Sequence, residues 1–235
     1  MYLGVDEAGK GPVLGPMIAA AVIVDPATLP ADVDDSKRIA AERREAIDEE
    51  IASLDRAAVG VASVDPAEID RSDTDMNTLT VRGQARAVRD ALVDRPAAVA
   101  EPVRVVADAG DTSEERFARR LREFVEGNAE SDPPDGGPFP PVDVTAAHGA
   151  DEDDPVVGAA SVVAKVARDR RMAAINAEYP EYDDLGSGYP SDPATRSFLR
   201  EYVADTGEIP DCARRSWATC DDVLAAAEQS ALDEF

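Results

Sequence analysis

At 235 residues, 44% of them hydrophobic, the chain can bury one sizeable domain with small additions, which argues against wholesale disorder. Its 49 acidic residues against 24 basic ones leave a formal net charge of -25, spread over the whole length rather than gathered in a tail. That pattern reads as the carboxylate-rich surface of a protein from a very salty cytoplasm, where screening relieves the self-repulsion. Cys212 and Cys220 are too few and too oddly spaced for a disulfide framework or a zinc site. No apolar stretch approaches membrane-spanning length, so a soluble, cytoplasmic monomer is expected.

Residues 1–6 (MYLGVD) predict a short strand, and residues 15–25 (GPMIAAAVIVD) a second, buried one. Residues 34–54 predict a loop feeding an amphipathic helix, with Ile39, Ala46, Ile47 and Ile51 toward the core. A third strand falls at 57–64, and a helix at 76–93 with Leu79, Ala87, Val88 and Leu92 near one face. A strand at 103–110 ends at Asp108, and a helix over 113–127 opens with a Ser-x-x-Glu-like cap and closes at Gly127. The Pro and Gly density of 128–141 forbids regular structure and marks a surface loop or insertion. A fifth strand at 142–148 precedes a long helix over 154–179, with Asp154 as cap and Pro155 in the first turn. Two more helices follow, near 192–205 and 219–230. This order predicts one α/β domain with a mixed sheet flanked by helices and a helical C-terminal portion. The divisions expected are a catalytic domain at 1–190, the helical portion at 191–228 and a tail at 229–235.

Gly4, Gly9 and Lys10 fit most of the spacing of a phosphate-cradling P-loop. Gly11, however, stands where Ser or Thr should hold magnesium. Pro12, Gly15 and Pro16 break the helix that should follow, and an apolar strand comes instead. Asp6 and Glu7 would also sit inside a loop meant for anions, where repulsion is costly unless a cation intervenes.

Carboxylates can face a phosphate when divalent metals lie between them. Asp108, at the end of a buried strand, and Asp169, on the long helix, are further candidates. All-oxygen ligands, in a chain whose single histidine (His148) reads as structural, favour Mg2+ or Mn2+ over zinc. Two such ions can activate water and stabilise the leaving oxygen of a phosphodiester. Any one acid is better explained as a solvated surface group. The set matters because Asp6 and Asp108 end apolar segments, where an unpaired carboxylate is costly. Adjacent strand residues point to opposite faces, so Asp6 and Glu7 reach one metal only if the strand ends or bulges there. Otherwise Glu7 offers its backbone carbonyl, and its carboxylate approaches a second metal or water.

The segments GVDEAGKGPVLGP, DDSKRI, VVADAGD, AASVVAKVARDR, GSGYPSDPAT and RRSW occur here in the order found in ribonuclease HII, the type 2 ribonuclease H. The chain resembles the archaeal type from Tyr2 to about Trp217. The resemblance implies a ribonuclease H-like fold and a metal-dependent endonuclease. The implied substrates are RNA paired to DNA and single ribonucleotides embedded in duplex DNA, cut on the 5′ side to leave a 3′-hydroxyl and a 5′-phosphate. It implies Asp6, Glu7, Asp108 and Asp169 as the catalytic, metal-holding acids. Where the family usually has Gly-Arg-Gly, this chain has Gly9-Lys10-Gly11, a point charge in place of a planar fork. Recognition survives if the loop reads nucleic acid through its backbone, and specificity changes if the fork is needed. Another two-metal nuclease or resolvase on the same fold, and an idle nucleic-acid-binding protein, stay open at this point.

Ser161, Lys165 and Asp169 follow at i, i+4 and i+8, a slanted stripe on one helix face. Lys165 would neutralise a backbone phosphate or pair with Asp169. Tyr189 lies between turn residues, where it could stack on a sugar or base and reach a 2′-OH, or simply pin its loop. The resemblance assigns it to the RNA–DNA junction. Lys37, Arg38, Arg214 and Arg215 are candidate phosphate contacts. Finally, Gln229, Leu232 and Phe235 resemble the sliding-clamp-binding peptide of replication and repair proteins. A spacing of three puts Leu232 and Phe235 on one side of a helical turn, with Gln229 at the pocket edge. The tail is expected to be mobile and to order on the clamp; a frayed helix end is the plainer alternative.

Overall fold

Strand β1 (Tyr2–Ala8) pairs antiparallel with β2 (Met17–Val24) in unbroken register, from Tyr2 opposite Val24 to Ala8 opposite Ile18. The computed structural model behind this description covers residues 1–33, 40–127 and 139–233, without the side chains of 230–233. Lys37, Arg38, Ile39, most of the 128–141 insertion, the Leu232 side chain and Phe235 lie outside the described residues. β2 is apolar at every position because both its faces are covered. Ala19, Ala21 and Ile23 join one hydrophobic core, and Ala20, Val22 and Val24 join another. It begins at Met17 rather than at residue 15, since Gly15 turns the chain with φ +76°.

The remaining strands are β3 (Ala58–Val64), β4 (Val103–Asp108) and β5 (Val142–Ala147). They complete a five-stranded sheet of order β3-β2-β1-β4-β5. β4 runs parallel to both β1 and β5, so the sheet is mixed, as the sequence predicts.

Helix α1 (Ala41–Ala52) buries Ile47 and Ile51 but leaves Ala46 half-exposed. After the short α2 (Pro66–Ile69), α3 (Met76–Val93) buries the expected Leu79, Ala87, Val88 and Leu92. α4 (Glu114–Val125) starts where the Ser113 hydroxyl accepts a bond from the Arg116 amide, and it buries Phe117, Leu121 and Val125. The four-residue α5 (Ala150–Asp153) leads into α6 (Pro155–Ala177). One Asp154 oxygen caps α6 by accepting from the Val156 and Val157 amides at 2.9 and 3.2 Å, and both its oxygens accept from the Tyr2 hydroxyl. Gly4 lets the start of α6 lie directly on β1: a Cβ there would stand 2.4 Å from the Val156 carbonyl carbon. α7 (Pro193–Thr206) is capped by Asp192 and closed by Gly207 in the left-handed conformation. α8 (Ala218–Asp233) extends past residue 230, so Gln229 sits exposed on a helix rather than at the start of a free tail. Neither α2 nor α5 was legible as a helix in the sequence.

The chain divides into two compact units. The first comprises Met1–Ala8, Ile18–Ser63 and Met76–Ala167, and the second Gly9–Met17, Val64–Asp75 and Arg168–Phe235. The first holds the two cores that sandwich the sheet. The second has its own core of Val13, Leu14, Ile175, Leu185, Phe198 and Leu199 among others, beside edge-packed Tyr179, Tyr182 and Tyr202. Among the described residues no helix is long and apolar enough to cross a membrane.

Candidate active site

The register of β1 on β4 places the first two acids. Leu3 lies opposite Val105, Gly4 opposite Val106 and Val5 opposite Ala107. Leu3, Val5, Val105 and Ala107 all enter the core on one face. One step further along, Asp6 comes level with Asp108, both turned to the other face on neighbouring strands, where strand spacing is about 4.8 Å. Asp6 is 5% exposed. Burial raises its pKa well above the ordinary carboxylate value, and the negative charges of Glu7 and Asp108 add to the rise. Hydrogen bonds from the Ser161 hydroxyl and the Glu7 amide, the latter at 2.7 Å, work against it. Lys165 approaches this group through Ser161, whose Oγ accepts from its ammonium at 2.9 Å.

Glu7 points to the opposite side, as the alternation of an unbulged strand requires. Its Oε2 accepts from Gln84 Nε2 at 2.6 Å, and the same nitrogen donates to the Asp108 carbonyl at 3.0 Å. Gln84, with no exposed surface, thus ties Glu7 to β4 from α3. The apolar period of α3 gives no sign of it, because a buried polar side chain carries no periodic signal. Asp108 Oδ1 accepts from the Ala150 amide at 2.9 Å. The next residue, Asp151, is a carboxylate only 5% exposed, also not singled out in the sequence. Asp169, by contrast, is exposed on the stretch of α6 that belongs to the second unit. His148 makes anchoring contacts: Nε2 to the Asp111 carbonyl at 2.7 Å and Nδ1 to Glu114 at 3.0 Å.

Among the described residues no three Asp, Glu, His or Cys side chains form a closed metal-holding group. The donor chemistry nonetheless fits a hard divalent cation. Asp6 and Asp108 offer carboxylate oxygens side by side, and the upward push on Asp6 is what added positive charge would relieve.

In the second unit the expected loop and tyrosine do come together. Gly188 O accepts from the Val13 and Leu14 amides at 2.8 and 3.1 Å, stitching the turn before Tyr189 to the segment after Gly11. Tyr189 is 42% exposed, and its ring edge would lie 3.6 Å from a Cβ placed on Gly11. The Arg168 guanidinium stands 5.8 Å from the centre of the tyrosine ring and donates to the Ser187 carbonyl. Gly9 takes φ +87°, and a Cβ there would stand 2.3 Å from Arg168 Nε, so glycine is required on both counts. Arg214 departs from the expectation of a phosphate contact. It has no exposed surface, and its guanidinium is spent on main-chain carbonyls. Arg215 is exposed and pairs with Asp211.

A mixed sheet with acids level on its two adjacent central strands, flanked by helices, is the ribonuclease H-like class of fold. The structure matches the ribonuclease H2 of Pyrococcus horikoshii with a TM-score of 0.76 and 31% identity, covering 97% of this chain and 98% of that one. It matches the PCNA:RNase HII complex from Archaeoglobus fulgidus with the same TM-score and 33% identity, over 95% and 96% of the chains. In sequence it is 53% identical to the ribonuclease HII of Haloarcula marismortui over the full length of both chains. The family model of ribonuclease HII matches residues 3–220. The chain belongs to the ribonuclease HII family, and is therefore an endoribonuclease acting on the RNA of RNA–DNA hybrids.

Proposed function

We propose that the enzyme also cuts duplex DNA at single embedded ribonucleotides, on their 5′ side. Water attacks the phosphorus in line, the 3′-oxygen leaves, and the products carry a 3′-hydroxyl and a 5′-phosphate. The observation that carries this reading is the pairing of buried Asp6 with half-buried Asp108, with Glu7 held behind them by Gln84. Mg2+ or Mn2+ bound by these acids would supply water activation and charge neutralisation at the leaving oxygen. Ser161 orients the Asp6 carboxylate, and Lys165 brings positive charge to Ser161.

For the fourth carboxylate, the family resemblance pointed to Asp169. Burial favours Asp151, which directly follows the residue that holds Asp108. On the substrate side, Gly9, Lys10, Gly11 and Tyr189 would read the ribonucleotide, with Lys37 as a further phosphate contact. Gln229, Leu232 and Phe235 would engage a sliding clamp. The structure of the Archaeoglobus fulgidus relative in complex with PCNA supports that reading. A chain lacking 229–235 that bound clamp as well as the parent would end it.

Duplexes carrying one ribonucleotide, a continuous RNA–DNA hybrid, all DNA, and a Holliday junction, each incubated with Mg2+, test the main reading. Cleavage of the first two alone is expected. Failure to cut at the lone ribonucleotide, or cutting of the junction, would contradict it.

A further inference from the structure

Among the described residues, β5 is the outermost strand on one side of the sheet. Its pairing with β4 shows which of its backbone groups face outward. The Pro141 and Ala147 carbonyls accept from the Val103 and Ala109 amides, at the two ends of β4, at 2.9 and 3.0 Å. A strand residue points its N–H and C=O to the same side, and its neighbours point theirs to the other. Val142, Val144, Ala146 and His148 therefore turn theirs to the open edge. Glu126 accepts from the Val142 amide at 3.4 Å, and Glu114 from the His148 amide at 2.8 Å. Helix α4 thus runs opposite to β5, and acids at its two ends occupy the ends of the edge. Between them, Val144 and Ala146 make no outward hydrogen bond among the described residues. Such a window of backbone donors and acceptors is a template for another strand.

A cleft of about 540 Å³ lies along this window, between β5 and the outer side of α4. Its strand side is centred on Thr145. Its helix side carries Glu115 toward one end, Ala118 in the middle, and Arg119 and Arg122 toward the other. These four helix residues follow at i, i+3, i+4 and i+7, one stripe of α4. Both arginines are exposed, and neither has an ion pair among the described residues, although acids outnumber bases 49 to 24 in the chain. The cleft is therefore acidic at one end and basic at the other. A two-fold axis through its middle lays the acidic end of one copy on the basic end of another. Glu115 then meets Arg122 of the second copy, and Arg122 meets Glu115 of the second copy. The same axis, passing beside Thr145, sets Val144 opposite Ala146 of the second copy in antiparallel register. Residues so paired exchange both backbone hydrogen bonds.

We propose that this face is a homodimer interface, in which two β5 strands join edge to edge and two α4 helices lie antiparallel beside the seam. The partner is a second copy of this chain, in place of the monomer expected from the sequence. The acid pairs of the two copies, each made of Asp6 and Asp108, then lie at opposite ends of the joined sheet. With a net charge of -25 on each copy, association needs salt to screen the repulsion between them.

Sedimentation velocity of the full-length protein over a range of KCl concentrations reads the association. A dimer is expected in molar KCl, with a dissociation constant below about 1 mM. Cysteine cross-linking reads the register. Thr145 lies opposite Thr145 of the second copy, where Cα atoms stand about 4.5 Å apart, so Thr145→Cys should form an intermolecular disulfide in oxidised glutathione. Asp143→Cys, about 14 Å from its counterpart, should not. Ala146→Pro removes an outward N–H and should weaken the dimer at least about fivefold. Glu115→Arg and Arg122→Glu, in the lowest KCl at which the parent dimerises, should each weaken it at least about twofold. Mixing these two variants should restore it, because acid again meets base in the mixed dimer, whereas damage to the fold is not cured by mixing. If Ala146→Pro does not fold, cross-linking and the mixture decide alone. A parent that stays monomeric up to about 1 mM leaves the edge to a different partner and overturns the proposal. So does a dimer that cross-links as readily at 143 as at 145, or one that the charge variants leave intact.

Discussion

Asp6 and Asp108 show why position outweighs residue type in a chain with 49 acids. Each ends or nearly ends a central strand, and the parallel register brings them level on one face. Glu7 needs a partner of its own on the other face, and Gln84 supplies it. Gln84→Leu should lower kcat on a hybrid about 10–100-fold, the usual cost of losing a group that orients a metal ligand. Parent-like kcat would show that Glu7 needs no such support. Asp151 and Asp169 can be separated in the same assay. Asp151→Asn should lose more activity than Gln84→Leu, and Asp169→Asn less. The reverse order would restore Asp169 as the fourth acid.

At the level of elements, the turn from β4 into α4 is fixed by a carboxylate away from the acid pair. Asp111 accepts from Arg116 Nε and Nη2 at 2.9 and 2.5 Å and from the Thr112 amide at 2.6 Å. The Arg116 bonds hold its pKa down at about 2. A depressed carboxylate stabilises the fold fully above its unfolded value, near 3.9, and loses that contribution as pH falls through the folded one. The stability difference between the parent and Asp111→Asn should therefore be constant above about pH 5 and shrink as pH falls from about 4 toward 2. A difference that did not change with pH would place the role of Asp111 in packing alone.

Elements with a strong period were legible in the sequence: α3 and the caps at Ser113 and Asp154 fall where the pattern put them. α5 was not, because four residues carry no period and the Ala150 amide is held by Asp108, 42 positions away. The same limit hid Arg214, since an arginine in a polar RRSW stretch reads as surface until the carbonyls of residues 9, 10 and 15 are folded around it. Gln84 and Asp151 escaped notice for the same reason: burial of a polar side chain is a property of the tertiary fold.

The whole molecule carries a net charge of -25, which repels itself wherever salt does not screen it. We read this charge as a surface suited to high salt. The unfolding midpoint should climb steadily from low to molar KCl, and a flat profile would remove the inference. The same screening weakens phosphate contacts, so binding of a duplex should lose affinity as salt rises. The central claim is that Asp6 belongs to the hydrolytic centre. It is tested most directly by Asp6→Asn on a duplex with one embedded ribonucleotide, in molar KCl with Mg2+, scored for both binding and cleavage. The predicted result is binding close to that of the parent with no product above background. Cleavage at the parental rate by a folded Asp6→Asn protein would contradict it.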